Sequence, residues 1–143
     1  MSSNEDLITN LLKPKNQEPD EELDRLAHLV IGAAIEVHRQ LGPSLLEGVY
    51  ETALCIEFDL RKIPFRRQQG VGITYKGRPV GKGKLDLLVG ERLIIELKAV
   101  ERLAPIHSAQ MISYLRMTNR KLGLLINFNV PLLREGIKRV VVS

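Results

Sequence analysis

The sequence predicts an α/β (α+β) fold, a mixed central sheet flanked by helices, with elements in the order α-α-β-β-β-α-β and a short final strand. Three observations carry this. Apolar residues recur at helical spacing from Leu23 to about Lys62, with one break at Gly42-Pro43. Between Phe65 and Val100 the pattern changes to β-type runs separated by turn residues. Beyond Pro105 a helical stretch leads into the apolar run Leu122–Ile126, which reads as a strand buried on both faces. Because that run follows a helix, parallel pairing with an earlier strand is expected.

Residues 1–19 read as a loosely attached tail, broken by Pro14, Asn16 and Pro19, and residues 20–143 as a single domain. Asp20 is placed to cap a helix whose first turn holds Glu21 and Glu22, where acids suit the helix dipole. Leu23, Leu26, Val30, Ala33, Ala34, Val37 and Leu41 form its apolar stripe. Ser44 and Glu47 have the spacing of a capping box for a second helix. That helix should run to about Lys62, with Leu46, Val49, Tyr50, Ala53 and Leu60 along one side. Pro64 blocks further helix. Strands are expected over Phe65–Tyr75, Val80–Val89 and Leu93–Val100, turning at Lys76–Pro79 and at Gly90-Glu91-Arg92. A helix over Pro105–Thr118 places His107, Gln110 and Tyr114 on one face. Lys121–Phe128 is the buried strand, and Ile137–Val142 the last one, after a Pro131–Gly136 loop.

The stretch from Lys84 to Val100 holds the candidate chemistry. Asp86 lies in the first of two apolar β-type runs, and Glu96 and Lys98 lie near the end of the second. Strand side chains alternate faces, so Glu96 and Lys98 share one face and Leu97 points away. Charge in a buried strand costs several kcal/mol unless it is paired or holds a metal. The spacing suits two adjacent antiparallel strands that bring Asp86 and Glu96 together. Two carboxylates form a hard oxygen site of the kind Mg²⁺ prefers, with positions left for water and phosphate. Lys98 beside it could hold or deprotonate an attacking water, or neutralise charge on a phosphorane-like transition state. Together these point to metal-assisted hydrolysis of a phosphodiester.

These residues carry a family resemblance. Asp86…Glu96-Leu97-Lys98 resembles the signature of the PD-(D/E)xK nuclease superfamily, and the α-β-β-β-α-β order matches its restriction-endonuclease-like core. More narrowly, Ile31–Arg39, Leu41–Tyr50, Asp86–Val89, Glu96–Val100 and Gly136–Val141 look like the bacterial GxxExxY family. The resemblance implies that Glu47, Asp86 and Glu96 bind the metal, Mg²⁺ or Mn²⁺, and that Lys98 is the catalytic lysine. Glu47 and Tyr50 are then the glutamate and tyrosine of the family name. Gln110 and Tyr114 resemble a Gln-x-x-x-Tyr feature of related repair nucleases that helps to orient the site, with His107 nearby. The family's first glycine is Ser44 here, which implies a local backbone change.

Composition sets the remaining bounds. The chain is 44% hydrophobic and 27% charged, ordinary for a globular domain. Cys55 is the only cysteine, which excludes an intrachain disulfide and multi-cysteine metal sites and suits a reducing compartment. No run reaches the roughly 20 apolar residues of a membrane span, so a cytoplasmic location and no membrane partner are expected. Residues 1–24 carry seven acids against two lysines, leaving the rest of the chain strongly basic. Part of the cluster Arg66, Arg67, Lys76, Arg78, Lys82 and Lys84 reads as a solvated face, and part as phosphate contact. The expected partner is nucleic acid, DNA first, with a homo-oligomer through the tail or the Leu132–Val142 region as a further option. The alternative reading is a nuclease-like module that binds nucleic acid or protein without turnover. His28 and His38 read as packed or surface histidines.

Overall fold

Asp20 caps the first helix as its position suggests: its Oδ1 accepts the Leu23 N–H at 2.9 Å. The computed structural model describes residues 20–143, and the tail expected over 1–19 lies outside the described residues. Helix α1 spans Glu21–Leu41 and α2 Glu47–Leu60. Strands β1 (Phe65–Tyr75), β2 (Arg78–Val89) and β3 (Leu93–Lys98) follow, then α3 (Pro105–Met117) and β4 (Leu122–Asn127). A short 3-10 turn, Leu133–Gly136, leads into β5 (Ile137–Val141). The expected order holds throughout.

The five strands lie in the order β1-β2-β3-β4-β5. Only the β3–β4 pair is parallel, which is the pair that α3 connects. Both hairpin turns, Lys76-Gly77 and Gly90-Glu91, hold their two central residues at positive φ, as the tight I′ hairpin geometry requires. Arg92 ties the second turn to the start of α1 through two bonds to the Asp20 carboxylate, 3.0 and 2.9 Å.

Helices α1 and α2 cover one face of the sheet. There Leu23, Val30, Ala34, Tyr50, Leu54 and Phe58 meet Leu87, Leu93, Ile95, Leu97, Leu124 and Ile126. Helix α3 covers the other face, packing Met111 and Leu115 on Leu85, Leu88, Ile94 and Leu125. All six residues of β4 are buried, as expected of a strand covered on both sides.

Several boundaries and stripes differ from expectation. The apolar side of α2 is Tyr50, Leu54, Cys55 and Phe58, whereas Leu46, Val49 and Leu60 face solvent. Apolar residues surround this short helix, so its period alone did not choose the buried side. Ser44 is not a cap: α2 begins behind Leu46 with no side-chain capping bond, and Ser44 itself sits at φ 81°. A serine therefore holds a left-handed backbone where the resemblance has glycine, a conformation that costs a non-glycine residue on the order of 1 kcal/mol or more. Strand β3 ends at Lys98 rather than Val100, and β2 begins at Arg78.

Gly136 packs against the carbonyl of Asn127, and an added Cβ would lie 2.1 Å from that oxygen. Backbone cannot yield there cheaply. Gly136→Ala is expected to destabilise the protein by roughly 2–4 kcal/mol, the scale of severe overpacking. Denaturant unfolding checks this, and a change under about 0.5 kcal/mol, typical of a neutral surface site, would show that the close approach relaxes freely.

Candidate active site

The β2–β3 ladder is regular from Val89↔Leu93 to Leu87↔Ile95 and then stops. The next pair would be Asp86 and Glu96, and here each strand offers a carboxylate in place of a carbonyl. Glu96 Oε1 accepts the Asp86 N–H at 3.2 Å, and Asp86 Oδ2 accepts the Leu97 N–H at 2.8 Å. The two strands therefore part at the charged residues without orphaning their amides, which satisfies the accounting that buried backbone demands.

Strand β2 is disturbed on its other side at the same residue. Arg67 pairs with Leu87 and Gln69 with Leu85, but Gln68, opposite Asp86, is out of the ladder with φ 53°. The pleat changes phase there: Leu87 belongs to the α1–α2 core and Leu85 to the α3 core, although regular alternation would put both on one face. Asp86 stands at the point where the sheet switches phase.

Burial and like charge then act on the pair. Glu96 is 4% exposed. Burial first, and the Asp86 charge second, push its carboxyl from 4.5 up to about 8. The Asp86 carboxyl is also raised, chiefly by burial and then by the charge of Glu51, against the lowering effect of the Leu97 N–H bond. Burial and like charge thus act on both carboxyls in the same direction, and both favour a bound proton more than a free carboxyl does.

Glu47 lies exposed in the first turn of α2, near enough for the charges of Asp86 and Lys98 to act on it. Its carboxyl is raised by partial desolvation and by Asp86, and lowered by Lys98. The same lysine lowers Asp86 and Glu96, so its charge acts on all three carboxylates. Among the described residues Lys98 makes no ion pair within 4.0 Å. The structure thus brings Asp86, Glu96 and Lys98 together with Glu47 alongside. Among the described residues no three His, Cys, Asp or Glu side chains lie close enough together to hold an ion as they stand.

The other expected residues are placed differently. Tyr50 is fully buried, stacked on Phe128 at 4.5 Å, so it has no surface for substrate. Its hydroxyl donates to Gly42 O at 2.6 Å and accepts the Leu45 N–H at 3.1 Å, fixing the loop that leads into Glu47. His107 Nδ1 accepts the Ala104 N–H at 3.0 Å and so closes the start of its own helix. Tyr114 lies against β2 at Gly83, where an added Cβ would meet the ring at 2.8 Å. Gln110 is exposed on α3.

Two residues that the sequence reading did not single out belong here. Glu51, one turn after Glu47, is buried and held by Arg67 at 2.6 Å and Gln68 at 2.7 Å. Its i,i+4 spacing from Glu47 was the available signal. Asn127, 1% exposed, accepts the Val100 N–H at 3.0 Å and donates to Val100 O at 2.9 Å, tying down the chain just beyond Lys98.

A family model of the PD-(D/E)XK nuclease superfamily matches residues 24–140, a span that contains Glu47, the Asp86–Glu96 gap and Lys98. The chain belongs to that superfamily. No curated protein and no solved structure matches it. The helices and mixed sheet of this PD-(D/E)XK protein are those of a restriction-endonuclease-like core. No helix among its described residues is long and apolar enough to cross a membrane.

Proposed function

We propose that this PD-(D/E)XK protein is a divalent-metal-dependent nuclease of the GxxExxY type, hydrolysing phosphodiester bonds in nucleic acid, DNA first. The observation that carries the reading is the parted ladder at Asp86 and Glu96 with Lys98 beside it. Two adjacent carboxyls that burial and like charge push toward protonation are a hard donor set that a divalent cation suits, because its charge can replace a proton. Asp86 and Glu96 would hold Mg²⁺ or Mn²⁺, and Glu47 would be the third ligand after a side-chain rotation. When bound, the ion supplies Lewis-acid polarisation of the scissile phosphate.

The remaining work falls to the chain. Lys98 would direct a positive charge at the phosphate, where it holds the attacking water and offsets charge that develops as the water oxygen bonds to phosphorus. The bond to the leaving sugar oxygen breaks, and the proton lost by the water is balanced by one that this oxygen takes from solvent. Glu51, held in place by Arg67 and Gln68, lies close enough to act on Asp86 and adds to the acidic character of the site that a cation would meet. Tyr50 positions Glu47 through its loop. Gln110 and His107 are proposed to orient the site from the start of α3, while Tyr114, packed on Gly83, supports the ribbon from the face opposite Glu47.

Incubating the purified chain with DNA and RNA, with and without Mg²⁺ or Mn²⁺, tests the reading. Metal-dependent cleavage is expected. Its absence, with salt-sensitive binding retained, would instead favour a nucleic-acid-binding module without turnover. Calorimetric Mn²⁺ titration examines Glu47 separately. Glu47→Gln is expected to weaken binding by ~10–100-fold, the scale for a supporting ligand group. An unchanged isotherm would remove Glu47 from the ligand set.

A further inference from the structure

Between Asp59 and Asp86 the chain has no acidic residue but eight lysines and arginines. Arg61, Arg66 and Arg67 in that span bond to Glu57, Glu91 and Glu51. Lys76, Arg78, Lys82 and Lys84 lie on the outer half of the β1–β2 ribbon, exposed, and no described acid lies within 4.0 Å of them. The register sorts this half of the ribbon by face. Gly70 pairs with Lys84 and Gly72 with Lys82, and cross-strand partners share a face, so these four residues form one surface. Val71 and Gly83 form the opposite surface, which Tyr114 and the α3 core cover. The phase change at Asp86 turns the glycine–lysine surface to the α1–α2 side of the sheet, the side of Glu47.

The glycines are the second observation. A glycine inside a strand weakens it, and its usual reasons are positive φ, a bulge or a close approach of something else. Gly70 and Gly72 have no positive φ, and both lie in the regular part of the register. An added Cβ at either would meet nothing within 4 Å. Gly83, by contrast, is explained by Tyr114. Nothing in the described fold requires glycine at positions 70 and 72, yet the floor they leave bare lies directly opposite two unpaired lysines.

We infer that this surface seats the sugar–phosphate backbone of the nucleic acid beside the cut site: Gly70 and Gly72 let the backbone approach the ribbon, and Lys82 and Lys84 pair with its phosphates. The inference rests on the nuclease reading and adds where substrate lies. Along β2, Lys84 and Lys82 stand about 7 and 13 Å from Asp86 at the usual rise per residue. The substrate therefore continues from the scissile phosphate outward along the ribbon, and the rigid contact of the other face with α3 keeps that track fixed. Phosphate is the chemistry that fits, because the surface offers two ammonium groups, exposed backbone and no acid.

The test measures binding of the full chain, in EDTA to prevent turnover, to duplex DNA, single-stranded DNA and RNA oligonucleotides across a salt series. Two double variants are compared with wild type, Lys82→Gln with Lys84→Gln, and Gly70→Val with Gly72→Val. Both are expected to weaken binding at least tenfold to the preferred oligonucleotide. The lysine pair should also flatten the salt dependence by about two phosphate contacts. The valine pair should keep or raise the melting temperature, since valine suits a strand better than glycine. Binding of both variants at wild-type strength overturns the inference, as does a valine pair that loses stability along with affinity. If wild type cleaves with Mg²⁺ and both variants bind and cleave as wild type does, the ribbon assignment alone falls. If wild type binds but never cleaves, the nuclease reading falls and the variants still judge the ribbon. If wild type binds no nucleic acid, both fall.

Discussion

Lys98→Ala is expected to reduce metal-dependent cleavage by at least ~10²–10³-fold, the scale for removing one preorganised charge from a transition state. The fold should not notice. The lysine side chain is partly exposed, makes no described ion pair, and its backbone bonds in the β3–β4 ladder survive the substitution. Melting temperature should therefore stay within the ±0.5 kcal/mol equivalent typical of surface changes. Single-turnover cleavage and thermal unfolding measured on the same preparation separate the outcomes. Cleavage that persists at wild-type rate would remove Lys98 from the chemistry. A loss of activity that follows a loss of folded protein would make its role structural.

The second large effect concerns pH. Glu96 titrates at about 8 in the fold against 4.5 as a free group, so its folded value is raised. A raised group contributes stability that is fully present below its unfolded value and is lost as the pH climbs through its folded value. Metal-free protein is thus expected to lose stability, on the order of a few kcal/mol, between about pH 5 and pH 9. Asp86 and Glu47, also raised, act in the same direction. Asp20 and Glu36 are lowered by Arg92 and Arg39, so their contributions are lost only in acid, outside that window.

Glu96→Gln should remove most of this slope, because the amide mimics the protonated acid and its oxygen can still accept the Asp86 N–H. The variant should then be more stable than wild type at pH 9 and yet inactive. Mg²⁺ should stabilise wild type increasingly as the pH rises, because the ion and the proton compete for the same oxygens. A melting temperature flat from pH 5 to 9 in wild type would contradict the raised Glu96 carboxyl.

The hairpin chemistry was legible in the sequence because charges stand out against an apolar period-2 pattern. Asp86, Glu96 and Lys98 met as the spacing suggested, and β4 was recognisable as a buried parallel strand. The second helix was not legible in the same way. Leu46, Val49 and Leu60 are as apolar as Leu54 and Phe58, and only the sheet beneath decides which set is covered. Glu51 reads as a solvated helix residue until β1 delivers Arg67 and Gln68 to it. Asn127 reads only as one more residue of the Lys121–Phe128 strand, and its bonds to Val100 exist because β3 and β4 lie in parallel with their ends aligned. Both are properties of tertiary contact, which local pattern does not encode.

The clamp of Asn127 on Val100 has a dynamic consequence. The last residues of a strand ordinarily fray, opening at little free-energy cost while the core stays closed. Here the chain just past Lys98 is held by both polar groups of a buried side chain, and the Phe128 N–H bonds back to Lys98 O at 2.9 Å. The exit of β3 therefore opens with the core rather than ahead of it. Lys98 stands on backbone whose breathing is coupled to global unfolding, so motion of the ammonium comes from its own four-carbon stem and not from the strand beneath it.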